Sequence, residues 1–230
     1  MRKGDASERL SRRDLLTAAA AAGVAGLAAG TVAYGGTAFA QTTLSPDEAL
    51  KRLMDGNVRY VAGTLTAFNE DLSLLKAKTA EKQEPFAAVL SCADSRVPVE
   101  MVFDQSIGHV FVCRVAGNIA ASAVIGSLEY GAAVLGTSVI MVLGHANCGA
   151  VAATMANKAA PGQISGLYPY IRPAVDQAGG GLDAAIRINA RNQAALLQHA
   201  SPVLAGLGKD GKLKIVAAHY EPATGKVSLI

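Results

Sequence analysis

The chain has 230 residues, 51% of them hydrophobic and 17% charged, which excludes a disordered chain; its three cysteines are too few for a disulfide-built miniprotein. A length near 200 suits one domain with a substantial core. The net charge of +3 sits mostly at the N-terminus: residues 1–40 hold five basic and three acidic residues, leaving 16 basic against 15 acidic in the remainder, a balance that gives no electrostatic case for nucleic-acid binding.

The N-terminus reads as an export address. Ser11-Arg12-Arg13-Asp14-Leu15-Leu16 is a twin-arginine pattern, followed by a weakly apolar Ala/Gly run from Thr17 to about Gly36. Ala38-Phe39-Ala40 offers small residues for cleavage after Ala40, with Gln41 as the new N-terminus. The expectation is a Tat signal peptide over residues 1–40 and a mature domain over 41–230, in the periplasm or otherwise exported by the Tat machinery. An uncleaved run would anchor the chain to the membrane instead. Tat substrates cross already folded, which suits a protein that takes up a metal before export.

Ser45-Pro46-Asp47-Glu48 opens a helix, with Ser as N-cap, Pro at N1 and Glu at N3 of a capping box. Ala49, Leu50, Leu53, Met54, Val58 and Tyr60 carry it with roughly helical spacing to about Val61. Ala62–Thr79 is mixed, between helix and loop. Strands are expected at Pro85–Ser91, Val110–Val115, Thr137–Leu143, Lys212–Tyr220 and Val227–Ile230. Helices are expected at Ala120–Leu135, Ala150–Lys158 and Leu182–His199, while Gly162–Gly181 is ambiguous. Strands alternating with helices predict a single α/β domain: a mainly parallel sheet flanked by helices, with an N-terminal helical arm.

Three residues of metal-binding type follow predicted strands: Cys92 after the first, His145 and Cys148 after Thr137–Leu143, with His-x-x-Cys placing those two on one loop. Ligand sites of open α/β sheets gather outside the carboxyl ends of strands. Cys₂His is a zinc set that leaves a fourth position open, and Cys148 opens a helix, where the dipole favours its thiolate. Buried core residues, or a disulfide in an oxidising compartment, are the alternatives. Cys92 is followed by Asp94 and Arg96, a charged pair where a bland strand end would be apolar. Cys113 lies inside a strand and reads as a packed thiol, and His109, His199 and His219 as surface or core residues. Asp104 and Glu129 are candidates for structural ion pairs.

Ser91-Cys92-Ala93-Asp94-Ser95-Arg96 together with Gly144-His145-Ala146-Asn147-Cys148-Gly149 resembles the paired signatures of the β-class carbonic anhydrases. The resemblance runs from about Leu50 to Val227 and includes Arg114-Val115-Ala116-Gly117-Asn118 and Ser127-Leu128-Glu129-Tyr130. It implies one Zn2+ per chain on Cys92, His145 and Cys148, and reversible hydration of carbon dioxide to bicarbonate and a proton by hydroxide generated at zinc. It also implies an Asp94–Arg96 dyad in which Arg96 holds Asp94 off the metal when the site is open, and Asp94 becomes a fourth ligand when it is closed. Gln83, nine residues before Cys92, matches the active-site glutamine of plant-type members. Phe111 and Tyr130 would line the substrate pocket across a dimer interface. A homodimer or higher oligomer is implied, with the arm packing on its partner, as is a role in carbon utilization. The family's regulated subset has a Trp-Arg-Tyr set at a second bicarbonate site; this chain has no Trp, so that set is not expected. Carbon disulfide or carbonyl sulfide hydrolysis on the same fold, and non-catalytic zinc binding, are the competing functions.

Overall fold

The computed structural model describes residues 42–67, 69 and 72–230. The twin-arginine segment, the apolar run after it and the Ala40 cleavage position lie outside them. Helix α1 (Pro46–Ala62) starts as expected: Ser45 Oγ accepts from the Glu48 amide, and Glu48 accepts from the Ser45 amide. Its buried stripe is Ala49, Leu53, Gly56 and Asn57, one face at helical spacing. Val58, counted with that stripe from its spacing, points outward and is 67% exposed. A Cβ at Gly56 would lie 1.8 Å from the Phe103 carbonyl oxygen, so only glycine lets the helix come this close. Asn57 pins the contact: its amide donates to Val102 O and Gly225 O, and its oxygen accepts from Val227 N.

The mixed stretch after α1 contains a helix, α2 (Leu72–Thr79). Then follow β1 (Ala87–Ser91), the short α3 (Val99–Val102) and β2 (Val110–Arg114). The expected helix Ala120–Leu135 begins later, as α4 (Ser122–Glu129), and widens into π-type turns over Tyr130–Val134. Strand β3 (Val139–His145) runs two residues further than expected. Helix α5 (Gly149–Ala156) ends two residues earlier than expected, at Asn157 with φ 49°. The ambiguous Gly/Pro-rich stretch holds α6 (Tyr168–Gln177). Then come α7 (Leu182–Ala200), α8 (Pro202–Lys209), β4 (Lys214–Glu221) and β5 (Lys226–Leu229).

The sheet order is β2-β1-β3-β4-β5, parallel except for β5, which runs antiparallel to β4. All five residues of β1 and all seven of β3 are buried because both sheet faces are covered, which is why they are nearly uninterrupted apolar runs. One face packs Leu53 of α1 with Phe103, Met141 and Tyr220. The other packs Leu128 of α4, Leu197 of α7 and Leu204 of α8 on Leu90 and Ile140. A third cluster closes the carboxyl end of the sheet and includes Cys92, Cys148, Ile171 and Ile186.

Asp104 ties α1 and the loop after it to the sheet. It is 3% exposed, with φ 46°. Its carboxylate accepts from Arg59 Nε (2.5 Å), Thr66 Oγ1 (2.8 Å), Thr66 N (2.9 Å) and Ala67 N (2.8 Å). Burial pushes its pKa up, but the amide, guanidinium and hydroxyl donors outweigh burial and hold it at about 2, against 3.8 unperturbed. A depressed carboxylate pKa stabilises the fold at pH values above the unfolded pKa, and the gain is lost as pH falls through the folded one. The expected contribution is about 2 kcal/mol at neutral pH, fading between about pH 4 and pH 2. Urea unfolding of Asp104→Asn should therefore show a loss at pH 7 that shrinks toward pH 3; an equal loss at both would contradict this. Glu129, the other expected ion-pair former, instead accepts from Ser201 Oγ at 2.5 Å.

Candidate metal centre

Cys92 directly follows β1, and the parallel register sets Ser91 level with Leu143, so Cys92 arrives beside Gly144 and His145. His145 is the last residue of β3 rather than a loop residue as its spacing suggested, and its side chain is fully buried. The chain turns at Asn147 (φ 56°), which brings Cys148 back as the N-cap of α5. Gly144 lies against α7, where a Cβ would meet Ala190 and Ile186 at 3.4 Å, about van der Waals contact.

The ligand atoms of Cys92, His145 and Cys148 all lie within 4.8 Å of one another. Both cysteines are free, with their sulfurs 4.0 Å apart. That is close to the ~3.8 Å expected of two sulfurs ~2.3 Å from a shared tetrahedral zinc. His145 Nδ1 lies 3.0 Å from the Ala146 carbonyl oxygen, which can only accept, so Nδ1 carries the proton and Nε2 the lone pair. Nε2 is buried with no hydrogen-bond partner. A buried orphan lone pair beside two thiols is what a bound cation satisfies. The Cys148 sulfur, then the His145 ring and the Gly117 amide (3.3 Å) pull the Cys92 thiol below its usual pKa. The hydrogen bond to the Cys92 sulfur, then burial and the charge on Cys92, push the Cys148 thiol up. Zinc fits this donor set.

Asp94 and Arg96 stand at the mouth. Arg96 donates from Nε to Asp94 Oδ1 (2.9 Å) and from Nη2 to Oδ2 (2.8 Å), a bidentate fork, and its amide donates to Oδ1 at 3.0 Å. These donors hold the Asp94 carboxyl well below the ordinary carboxylate range against a partial burial penalty. Asp94 Oδ2 is 3.8 Å from His145 Nε2, so the carboxylate borders the cluster while Arg96 holds it.

The carbonic anhydrase family model matches residues 87–227. A carbonic anhydrase of Mycolicibacterium smegmatis is 35% identical over 193 residues, 80% of this chain and 93% of that protein. Carbonic anhydrase 2 of Mycobacterium tuberculosis is 36% identical over 198 residues, again 80% and 93%. The chain belongs to the β-class carbonic anhydrases. Among solved structures, the Coccomyxa β-carbonic anhydrase in complex with acetazolamide aligns with a TM-score of 0.63 at 27% identity, over 79% of this chain and 86% of that one.

Within one chain, the remaining residues implied by resemblance to the β-class lie elsewhere. Phe111 pairs with Ala88, four residues before Cys92, so it stands about 13 Å short of the cluster along the strands. Tyr130 accompanies it, with ring centroids 6.3 Å apart. Gln83 is exposed ahead of β1, at the far end from the cluster. Two residues of the Arg114-Val115-Ala116-Gly117-Asn118 motif, to which the sequence assigns no role, position the site. Arg114 donates to Cys92 O (3.1 Å) and Asp94 O (2.6 Å), clamping the loop that carries ligand and dyad. Its cues in the sequence are that motif and a charge ending an apolar strand. Gly117 donates its amide to Cys92 Sγ; its φ is 76°, and a Cβ there would lie 2.7 Å from Ile171 Cδ1.

Proposed function

We propose that this chain catalyses the reversible hydration of carbon dioxide to bicarbonate and a proton, with one zinc per chain on Cys92, His145 and Cys148. The observation that carries this reading is the convergence of two sulfurs and an orphaned imidazole lone pair beside a carboxylate held in a bidentate fork. A purely structural zinc site needs no such carboxylate at its edge. Zinc bound here supplies a Lewis acid that polarises water and brings its proton loss toward neutral pH. Asp94, ionised and acceptor-only, takes a hydrogen bond from water in the mouth and so orients the lone pair toward carbon dioxide. Arg96 keeps Asp94 in that role by occupying both of its oxygens.

The substrate pocket follows from a homodimer. β2 is an edge strand, Tyr130 beside it is 42% exposed, and Val58 and Val61 on the outer side of α1 are 67% and 48% exposed. A second copy on this face would bring its Phe111, Tyr130 and Gln83 to the cluster: the rings as an apolar wall for carbon dioxide, the amide as a donor to a substrate oxygen. The stripe of α1 that packs on its own sheet leaves those two valines for the partner. We also propose export: the twin arginines and Ala38-Phe39-Ala40 support Tat transport and cleavage after Ala40, placing the mature chain in the periplasm. No helix among the described residues is long and apolar enough to cross a membrane. Exported, the enzyme would serve carbon utilization by interconverting carbon dioxide and bicarbonate outside the cytoplasm.

Stopped-flow carbon dioxide hydration by zinc-quantified protein beginning at Gln41 tests the activity. Hydration that rises with pH between about 6.5 and 9 is expected, since hydroxide formation gains with pH. Full zinc occupancy with no hydration at any pH would overturn the reading, and the sample would then be assayed for sulfide release from carbon disulfide.

A further inference from the structure

Helix α7 packs on the sheet through small and apolar side chains such as Ile186, Ala190 and Leu197, yet two carboxamides, Asn189 and Gln193, sit one turn apart on the same buried face. Burying an amide costs free energy unless its hydrogen bonds are made, and a helix that only packs would carry apolar residues at both positions. Both amides reach the turn 116–120 that follows β2. Gln193 Oε1 accepts from the Ala120 amide (2.8 Å), and Gln193 Nε2 donates to Tyr170 O (3.0 Å). The Ala120 amide can only donate and the Tyr170 carbonyl can only accept, so the orientation of this carboxamide is fixed. Its Nε2 also donates to Asn189 Oδ1 (3.3 Å), which leaves Asn189 Nδ2 to donate to Gly117 O at 2.9 Å. Gly117 in turn donates its own amide to Cys92 Sγ at 3.3 Å. A chain of hydrogen bonds thus runs from the buried face of α7 to a ligand sulfur.

We infer that Asn189, oriented by Gln193, is a positioning residue for the metal centre: it fixes the Gly117 backbone so that the Gly117 amide stays on the Cys92 sulfur and draws charge from it. The inference rests on the metal-centre reading. Glycine is the reason a clamp is required. With no Cβ, the two peptides that flank Gly117 rotate with little steric resistance, and its φ of 76° is one of several conformations open to it. The Cys92 sulfur, a weak acceptor, holds one of those peptides, and Asn189 holds the other. A stiffer residue cannot stand in for the clamp, because a Cβ at Gly117 would lie 2.7 Å from Ile171 Cδ1. Two thiolate ligands load a metal with charge and blunt its Lewis acidity. An amide hydrogen bond on one of them withdraws part of that charge, and hydrogen bonds to ligand atoms orient those ligands and tune the metal they hold.

The test is the absorption spectrum of the protein beginning at Gln41 with cobalt(II) in place of zinc, in which the sulfur-to-cobalt charge-transfer band reports how firmly the sulfurs hold their electrons. Asn189→Leu removes the donor at nearly constant volume, and Asn189→Ala removes it without overpacking, so that the comparison survives if the leucine variant does not fold. Leu197→Ala, on the same buried face of α7, controls for destabilisation alone. In the Asn189 variants the band should move to longer wavelength, because a thiolate without its amide partner gives up charge more readily. Zinc affinity, measured by competition with a chelator, should fall about tenfold, the lower end of the cost of losing a ligand's outer partner. Leu197→Ala should melt below wild type while keeping the wild-type band and zinc affinity. A band at the wild-type position in the Asn189 variants, or an equal shift in Leu197→Ala, overturns the inference and leaves the metal centre standing. A wild type with no charge-transfer band overturns the metal-centre reading and the inference with it.

Discussion

Cys148→Ser is expected to empty the metal centre and abolish hydration together. Cys148 is 1% exposed and is the N-cap of α5, so its sulfur is positioned by backbone that the substitution leaves intact. The hydroxyl that replaces it is harder, less charged and shorter in reach than a thiolate. Loss of even an outer partner of a metal ligand typically costs about 10–100-fold in metal affinity. Loss of one of three direct ligands should exceed about a hundredfold, taking zinc from one per chain to well below that after dialysis. Hydration should fall in proportion to zinc. The fold should survive, because the third core cluster keeps Ile119, Val151, Ile171 and Ile186 around the vacated position. Elemental zinc analysis and circular dichroism on the same sample check both halves. One zinc per chain with full activity in Cys148→Ser would remove that sulfur from the ligand set.

The parts of this fold that are legible in the sequence are those whose signal is local. β1 and β3 read as strands because burial on both faces demands continuous apolar runs. The start of α1 reads from a capping box whose groups lie three residues apart. Cys92, His145 and Cys148 have ordinary core or disulfide readings one by one; they stand out because Asp94 and Arg96 follow Cys92 where a bland strand end would be apolar. Less legible are features whose partners are distant in sequence. Asp104 reads as an ion-pair former, but its partners Arg59, Thr66 and Ala67 lie 37 to 45 residues away, and nothing near it announces them. Helix α8 contains Gly206 and Gly208, which lower its intrinsic propensity; the Ser201 cap and the burial of Leu204 hold it. The two extra residues of β3 follow from pairing of Gly144 and His145 with His219 and Tyr220 of β4, a partner that periodicity within β3 cannot reveal. Gln83, Phe111 and Tyr130 are the extreme case, since the strand register of a single chain holds them away from its own cluster.

Asp94→Ala and Arg96→Gln should both cripple the enzyme, but for opposite reasons, and their combination should separate the reasons. On the role proposed for it, removing the Asp94 carboxylate takes away the acceptor that orients water in the mouth. A positioned proton acceptor contributes about 10²–10⁴-fold, so a loss of about a hundredfold in kcat/KM is expected, with zinc retained because the three ligands are untouched. Removing the Arg96 guanidinium leaves the carboxylate in place but deletes two of its three donors, at 2.9 and 2.8 Å. Asp94 Oδ2 is only 3.8 Å from His145 Nε2, so the released carboxylate has a short path to the open side of the cluster, where it would block the site it normally serves. Arg96→Gln should therefore lose at least as much activity as Asp94→Ala. The double variant has no carboxylate to misplace and should return to the Asp94→Ala level rather than show the product of the two losses. Neighbouring residues that act as one unit depart from additivity in this way. Stopped-flow kcat/KM values for the four proteins, each normalised to bound zinc, give the comparison. Losses that simply multiply would mean that Arg96 acts on substrate or structure by itself, and that holding Asp94 is not its task.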